Sequence, residues 1–246
     1  MARFFVDKQQ ITDNLVHITG EDVKHITKVL RLNVGDMVSV CAGEGQDYQV
    51  ELTEVAKEVV RGQVISVQPS QGEPHTKVVL VQGLPKGDKL EYIIQKCTEL
   101  GVHEIWPVVT QRTVVQLDEK KASQRQQRWQ RVALEACKQA GRGIIPQVQP
   151  LQKWSQLWTK LPQDALVILP WESAQGQHLK QVLEASAPGK TIYICIGPEG
   201  GFEYGEVQMA ESHGAHVVTL GSRILRTETA GMAALAMTMY QFGDLG

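Results

Sequence analysis

The chain has 246 residues, 42% of them hydrophobic and 21% charged, with a formal net charge of −2. That is enough apolar material for one large domain or two smaller ones, and too little excess positive charge for a protein that coats nucleic acid without specificity. No stretch approaches the roughly 20 apolar residues of a membrane helix, and the start, Met1-Ala2-Arg3-Phe4-Phe5-Val6-Asp7-Lys8, lacks the apolar core of a secretory signal, so a cytoplasmic protein without membrane contact is expected.

In chain order, short alternating segments come first: Met37 to Cys41, Tyr48 to Val55 and Gly62 to Val67 predict strands joined by turns, with one helix over about Glu21 to Leu30. A small β-barrel over residues 1–70 is expected. The polar, turn-forming run Gln68 to His75 predicts a linker. Beyond it, over residues 75–246, apolar strand candidates (Lys77 to Gly83, Glu104 to Val109, Ala165 to Leu169, Thr191 to Ile196, His216 to Leu220) alternate with helical patterns. The latter run over Lys89 to Leu100, Glu119 to Ala140, Gln177 to Glu184 and Glu203 to Ser212. Alternation of this kind predicts an α/β domain with a mainly parallel sheet. The patch Gln124-Arg125-Gln126-Gln127-Arg128 reads as the solvated face of a helix. A last segment, Thr227 to Phe242, mixes Ala230, Gly231, Ala233, Ala234 and Ala236 with methionines and leucine, and predicts a helix that approaches other backbone closely.

Two strand candidates break sharply into glycine turns, Ile196-Gly197-Pro198-Glu199-Gly200-Gly201-Phe202 and Leu220-Gly221-Ser222-Arg223-Ile224-Leu225-Arg226-Thr227-Glu228-Thr229-Ala230. Side by side at the ends of parallel strands, such turns make a pocket for a small molecule. Phosphate-binding signatures are missing: there is no Gly-x-Gly-x-x-Gly after the first strand and no Gly-x-x-x-x-Gly-Lys-Ser/Thr. A Gly-x-Ser-x-Gly elbow is missing too. Cys41, Cys97, Cys137 and Cys195 are scattered, with no Cys-x-x-Cys, and His103, His178, His213 and His216 show no ligand spacing. Four buried thiols are therefore expected, with neither a disulfide framework nor a metal site.

The paired glycine turns closely resemble the C-terminal signature of the RsmE branch of the SPOUT (trefoil-knot) RNA methyltransferases. Ile94-Gln95-Lys96-Cys97-Thr98-Glu99-Leu100-Gly101-Val102, Glu135-Ala136-Cys137-Lys138-Gln139-Ala140-Gly141-Arg142 and His25-Ile26-Thr27-Lys28-Val29-Leu30-Arg31 also look like that family, so the resemblance spans nearly the whole chain. It implies a PUA-like β-barrel for RNA, a trefoil-knotted S-adenosylmethionine domain, a homodimer formed through the knot region, and methylation of N3 of one uridine in the decoding region of 16S ribosomal RNA. Free RNA and the assembled small subunit stay open as substrates.

On that implication the cofactor site would draw on three turns. They are Leu169, Pro170, Trp171 and Glu172; Ile196, Gly197, Pro198, Glu199, Gly200 and Gly201; and Leu220, Gly221, Arg223, Ile224 and Leu225. A cationic sulfonium favours a nearby carboxylate, from Glu199 or Glu228. Methyl transfer to uridine N3 needs the imide proton removed while charge spreads onto the uracil oxygens. Arg226, with Arg223 second, suits that charge; Glu199 and Glu228 are the two nominees for proton acceptor, and Glu228 equally suits a helix N-terminus. A flipped base could stack on Trp171 or Phe202, although either residue also reads as core. Arg3, Lys24, His25, Lys28, Arg31, Lys86, Lys89 and Arg142, with Arg125 and Arg128, are the candidate RNA contacts. Two other readings stay in view: a knotted methyltransferase of tRNA or of a ribose hydroxyl, and an RNA-binding module whose second domain is inactive.

Overall fold

The computed structural model describes residues 1–187 and 189–246. The chain forms two compact units, one of Met1–Glu73 with Cys137–Ile145 and one of Pro74–Ala136 with Pro146–Gly246. The grouping of Cys137–Ile145 with the first unit is not apparent from chain order. Its cause is local: the Glu73 carboxylate accepts the backbone N–H groups of Gly143 (2.7 Å) and Ile144 (3.0 Å) and pairs with Arg142 at 2.8 Å.

In the first unit, β1 (Arg3–Phe5), β2 (Ile11–Thr12), β3 (Leu15–Thr19), β4 (Met37–Cys41), β5 (Gln46–Val55) and β6 (Val59–Pro69) form a sheet in the order β1-β4-β5-β6-β3-β2. No ladder joins β1 to β2 among the described residues, so the expected barrel is open at that seam. The strands are half-buried ones. Val16 and Ile18 of β3 point inward while Leu15, His17 and Thr19 face solvent, the period of two that a one-sided sheet requires. These side chains meet Val23 and Ile26 in one apolar cluster. The predicted single helix is two elements: α1 (Glu21–Lys24) runs into a π-helical turn, His25–Leu30, and ends at Arg31 in the left-handed region (φ 54°).

The second unit alternates strands and helices: β7 (Val78–Gly83), α2 (Lys89–Glu99), β8 (Glu104–Val109), α3 (Glu119–Ala140), β9 (Gln147–Val148), β10 (Gln152–Lys153), α4 (Trp154–Leu157), β11 (Leu166–Pro170), α5 (Leu179–Glu184), β12 (Ile192–Ile196), α6 (Tyr204–Ser212), β13 (His216–Val218) and α7 (Thr227–Gln241). Every ladder of its sheet is parallel, in the order β10-β8-β7-β12-β11-β13 with β9 also on β8. β7 and β12 are buried along their whole length because both faces are covered. Val78 and Leu80 of β7 enter a cluster with side chains of α2, α3, α5 and α7. Val79 and Val81 enter another with Trp154 and Leu157 of α4 and with Val207 and Ala210 of α6. The small residues of α7 serve this packing. Gly231 and Ala234 are buried, and a side chain at Gly231 would touch Leu80 and Gln82, whereas Met237 and Tyr240 face outward.

Candidate functional site

Strand β11 pairs in parallel with both β12 and β13, so the carboxyl ends of all three lie at one edge of the sheet. That edge is where ligands bind on such sheets. The turns that leave these strands, with Lys89 at the start of α2, enclose a cavity of about 480 Å³. This falls within the ~300–1,000 Å³ typical of small-molecule sites. Five of the residues from Ile196 to Thr227 that line it are glycine or proline, which leaves backbone open along the turns.

Two glycines make the turns fit. At Gly201 the backbone is left-handed (φ 69°), and a Cβ there would stand 2.7 Å from the Glu172 carboxylate, so the β11 turn packs directly on the β12 turn. At Gly83, the last residue of β7, a Cβ would meet both the ring and the backbone nitrogen of Pro198 at 2.6 Å. Behind them lies Gln82, fully buried, whose amide donates to Thr227 Oγ1 at 2.8 Å while that hydroxyl donates to the Gly197 carbonyl at 2.6 Å. One buried side chain thus ties the β12 turn to the start of α7. From outside, Arg112 grips the same turn, donating to the Gly200 carbonyl (2.7 Å) and to Glu203 (2.8 Å).

The charges on the wall are unevenly matched. Lys89 Nζ lies 3.0 Å from Glu199 and 3.6 Å from Glu228, and Glu199 also accepts the Lys86 backbone N–H at 3.1 Å. Burial alone would raise the Glu199 carboxyl, but its own backbone N–H, Lys89 and the Lys86 N–H together hold it below the usual range. A carboxylate so stabilised is a weak base. Arg223 and Arg226 are exposed on the wall, and no ion pair forms at either among the described residues. Trp171 lines the cavity with its indole N–H buried and unpartnered, leaning on Tyr204 at 6.2 Å. Phe202 is 2% exposed and packs against Trp154 with the rings tilted 41° to each other, so the core reading fits it.

Of the residues expected to form the cofactor site, all line the cavity except Leu169. Its side chain points to the other side of β11, into the cluster with Val167 and Cys195, and is fully buried there. Two expected RNA contacts are corrected. Arg142 is 4% exposed and bound to Glu73; Arg3 is held by Asp47 and the Gly141 carbonyl. Both guanidiniums are engaged by partners within the first unit. Lys89, expected to face RNA, belongs to the pocket wall. Lys24, His25, Lys28, Arg31 and Lys86 are exposed, Arg125 is half-buried, and Arg128 is exposed but paired with Glu91. Gln82 and Arg112 were not anticipated. A lone amide in the otherwise apolar run Val78 to Val81 was the available signal for the first; nothing near Arg112 in sequence pointed to the second. Among the described residues no group of three His, Cys, Asp or Glu could hold a metal ion, and no helix is long and apolar enough to cross a membrane.

Residues 72–239 match the family model of the RNA methyltransferase domain, and residues 18–65 match that of the RNA methyltransferase PUA domain. The ribosomal RNA small subunit methyltransferase E of Bacillus subtilis is 39% identical over 98% of this chain and 97% of its own. Its counterpart in Synechocystis is 33% identical over 95% of this chain and 76% of its own. A crystal structure of a ribosomal RNA small subunit methyltransferase E from Neisseria gonorrhoeae bound to S-adenosyl methionine superposes with a TM-score of 0.83 at 31% identity, covering 97% of each chain. With that match along its length, and a strand-end pocket of the kind described, the chain belongs to the ribosomal RNA small subunit methyltransferase E family.

Proposed function

We propose that this protein binds S-adenosylmethionine in the strand-end pocket and methylates N3 of one uridine in the decoding region of 16S ribosomal RNA. The observation that carries the reading is the convergence of three turns at the strand ends beside two arginines that form no ion pair among the described residues. The pocket suits this cofactor on its own terms. Peptide groups from Gly197 to Gly201 and from Leu220 to Leu225 can meet an adenine edge, Ile224 and Leu225 offer apolar surface, and Glu199 and Glu228 oppose a cation. No phosphate-cradling loop is needed. When bound, the cofactor supplies an electrophilic methyl group.

The residues of the chain then do the rest. Arg226 and Arg223 face the uracil oxygens, where charge accumulates as N3 loses its proton, and a permanent planar cation suits that task. Between the two nominated proton acceptors the geometry favours Glu228. Glu199 is already held ionised by three donors, while Glu228 Oε2 is buried with no hydrogen bond. Exposed Lys24, His25, Lys28 and Arg31 on the first unit, with Lys86 on the second, contact the RNA backbone. The passage of the chain from β13 back to α7, which packs on α2, β7 and β12, supports the trefoil knot that the family resemblance implies. A homodimer uses the outward face of α7, with Tyr240 and Met237, and the enzyme acts in the cytoplasm.

Calorimetry with S-adenosylmethionine, followed by nucleoside analysis of small-subunit RNA incubated with the enzyme, tests the reading. The expected product is 3-methyluridine. A ribose-methylated product sinks the N3 assignment, and absence of cofactor binding sinks the enzyme. Arg226→Ala is expected to keep cofactor binding within a few-fold while turnover falls by roughly 100-fold or more, the scale of losing one charge-stabilising donor. Wild-type turnover in that variant removes Arg226 from the mechanism.

A further inference from the structure

Lys89 occupies an unusual place. It is the first residue of α2, at the positive end of the helix dipole, where a cation is disfavoured and an acid is the usual choice. Its ammonium does not turn away to solvent. It reaches over the pocket wall to two carboxylates from separate turns, Glu199 after β12 and Glu228 in the first turn of α7. Glu228 Oε2 is buried and accepts no hydrogen bond; in the first turn of α7 it faces the helix N-terminus, and the ammonium at 3.6 Å is its ion-pair partner among the described residues. Two carboxylates that share one cation repel each other once it is gone, and burial adds to the cost.

We propose that Lys89 is a positioning residue that holds Glu199 and Glu228 together as an ionised pair facing the pocket, and is not a phosphate contact. The other charged groups on that wall are Glu172, against the β12 turn, and the exposed Arg223 and Arg226; Lys86 adds only its backbone N–H to Glu199. None of the three other side chains forms an ion pair with Glu199 or Glu228 among the described residues, so loss of Lys89 leaves the pair without a compensating cation. The acidity of Glu199, held low against its own burial by its backbone N–H, Lys89 and Lys86, agrees with this arrangement. The consequence is a graded one. Without Lys89 one of the two carboxyls takes up a proton at a higher pH, so the acid limit of the ionised pair moves up.

The inference about Lys89 leans on the cofactor reading only for its functional consequence, and its test separates the two. Carboxyl titration of the cofactor-free protein by carbon-13 NMR, for wild type, Lys89→Met and Lys89→Arg, reads the pair directly. In Lys89→Met one glutamate carboxyl is expected to titrate at least one pH unit higher than in wild type, and Lys89→Arg is expected to restore the lower value. Glu199→Gln in the Lys89→Met background is expected to bring the remaining carboxyl back down, because its like-charged neighbour is gone. Calorimetry at a series of pH values then reads S-adenosylmethionine affinity, whose acid limb is expected to move up with the carboxyl in Lys89→Met. Unshifted carboxyls in Lys89→Met, with a raised KM for RNA that steepens less with salt, overturn the proposal and return Lys89 to the RNA surface. Shifted carboxyls in a protein that binds no S-adenosylmethionine uphold the pair and refute the cofactor reading instead.

Discussion

At Gly83 and Gly205 the same substitution is expected to act in opposite directions. Alanine at 83 forces its Cβ into the Pro198 backbone, where nothing flexible can yield, and overpacking of that kind costs about 1–3 kcal/mol. Alanine at 205, inside α6 with open space around it, is expected to stabilise by roughly 0.5–1 kcal/mol through helix propensity. Denaturant unfolding checks both, and only Gly83→Ala should also weaken cofactor binding. The turn residues were legible in sequence because glycine and proline at strand ends announce backbone geometry directly. Gln82 and Arg112 were not, since each acts across more than eighty residues of chain, on Thr227 and on Gly200 respectively. Leu169 differs for a simpler reason: one residue before the strand end, its side chain alternates into the cluster with Val167 and Cys195, while the turn residues that follow line the cavity.

Elements of the second unit follow the sequence closely because each long strand and helix carries enough period to be read. β7, β8 and α3 begin and end within a residue of the expected bounds. The short pieces β9, β10 and α4, two to four residues each, lie below the length at which a period can be recognised. Their register is set by side chains from elsewhere. The glutamine-rich patch of α3, expected to be solvated, donates from Gln126 to the Val148 carbonyl at 2.9 Å, and the neighbouring Gln130 binds both Pro146 and Val148, so the helix holds β9 in place. α3 is anchored in turn by Trp129, which is 2% exposed against the core. Trp129→Ala is expected to cost ~3–5 kcal/mol, measurable as a lowered denaturation midpoint with unchanged slope.

Across the whole molecule the titrating groups set a direction for stability. Asp244 accepts the N–H groups of His75 and Thr76, and these donors outweigh a burial that would by itself raise its carboxyl, so it lies below its ordinary value. The unfolded chain then binds the proton more readily. The resulting stability is present above the ordinary aspartate range near pH ~4 and is lost as pH falls through the lower folded value. Asp244→Asn is therefore expected to destabilise at neutral pH and to match wild type in strong acid, as thermal unfolding across pH would reveal. The four cysteines are all free and buried, as expected, and burial pushes the Cys97 and Cys137 thiols up to about 12. Alkylating reagents should leave them untouched at pH 8 until the protein unfolds.

The cavity wall runs in sequence from Lys89 to Ala230, and its second glycine turn follows every strand of the sheet. During synthesis, then, every strand emerges before α7, whose Ala234, Leu235 and Met239 complete the core of the second unit, and before one side of the binding site exists. A nascent chain halted after Val218 carries all the strands and no closed pocket, so competence to bind cofactor arrives as a late, single event, set by the emergence of the second glycine turn and α7 after the last strand.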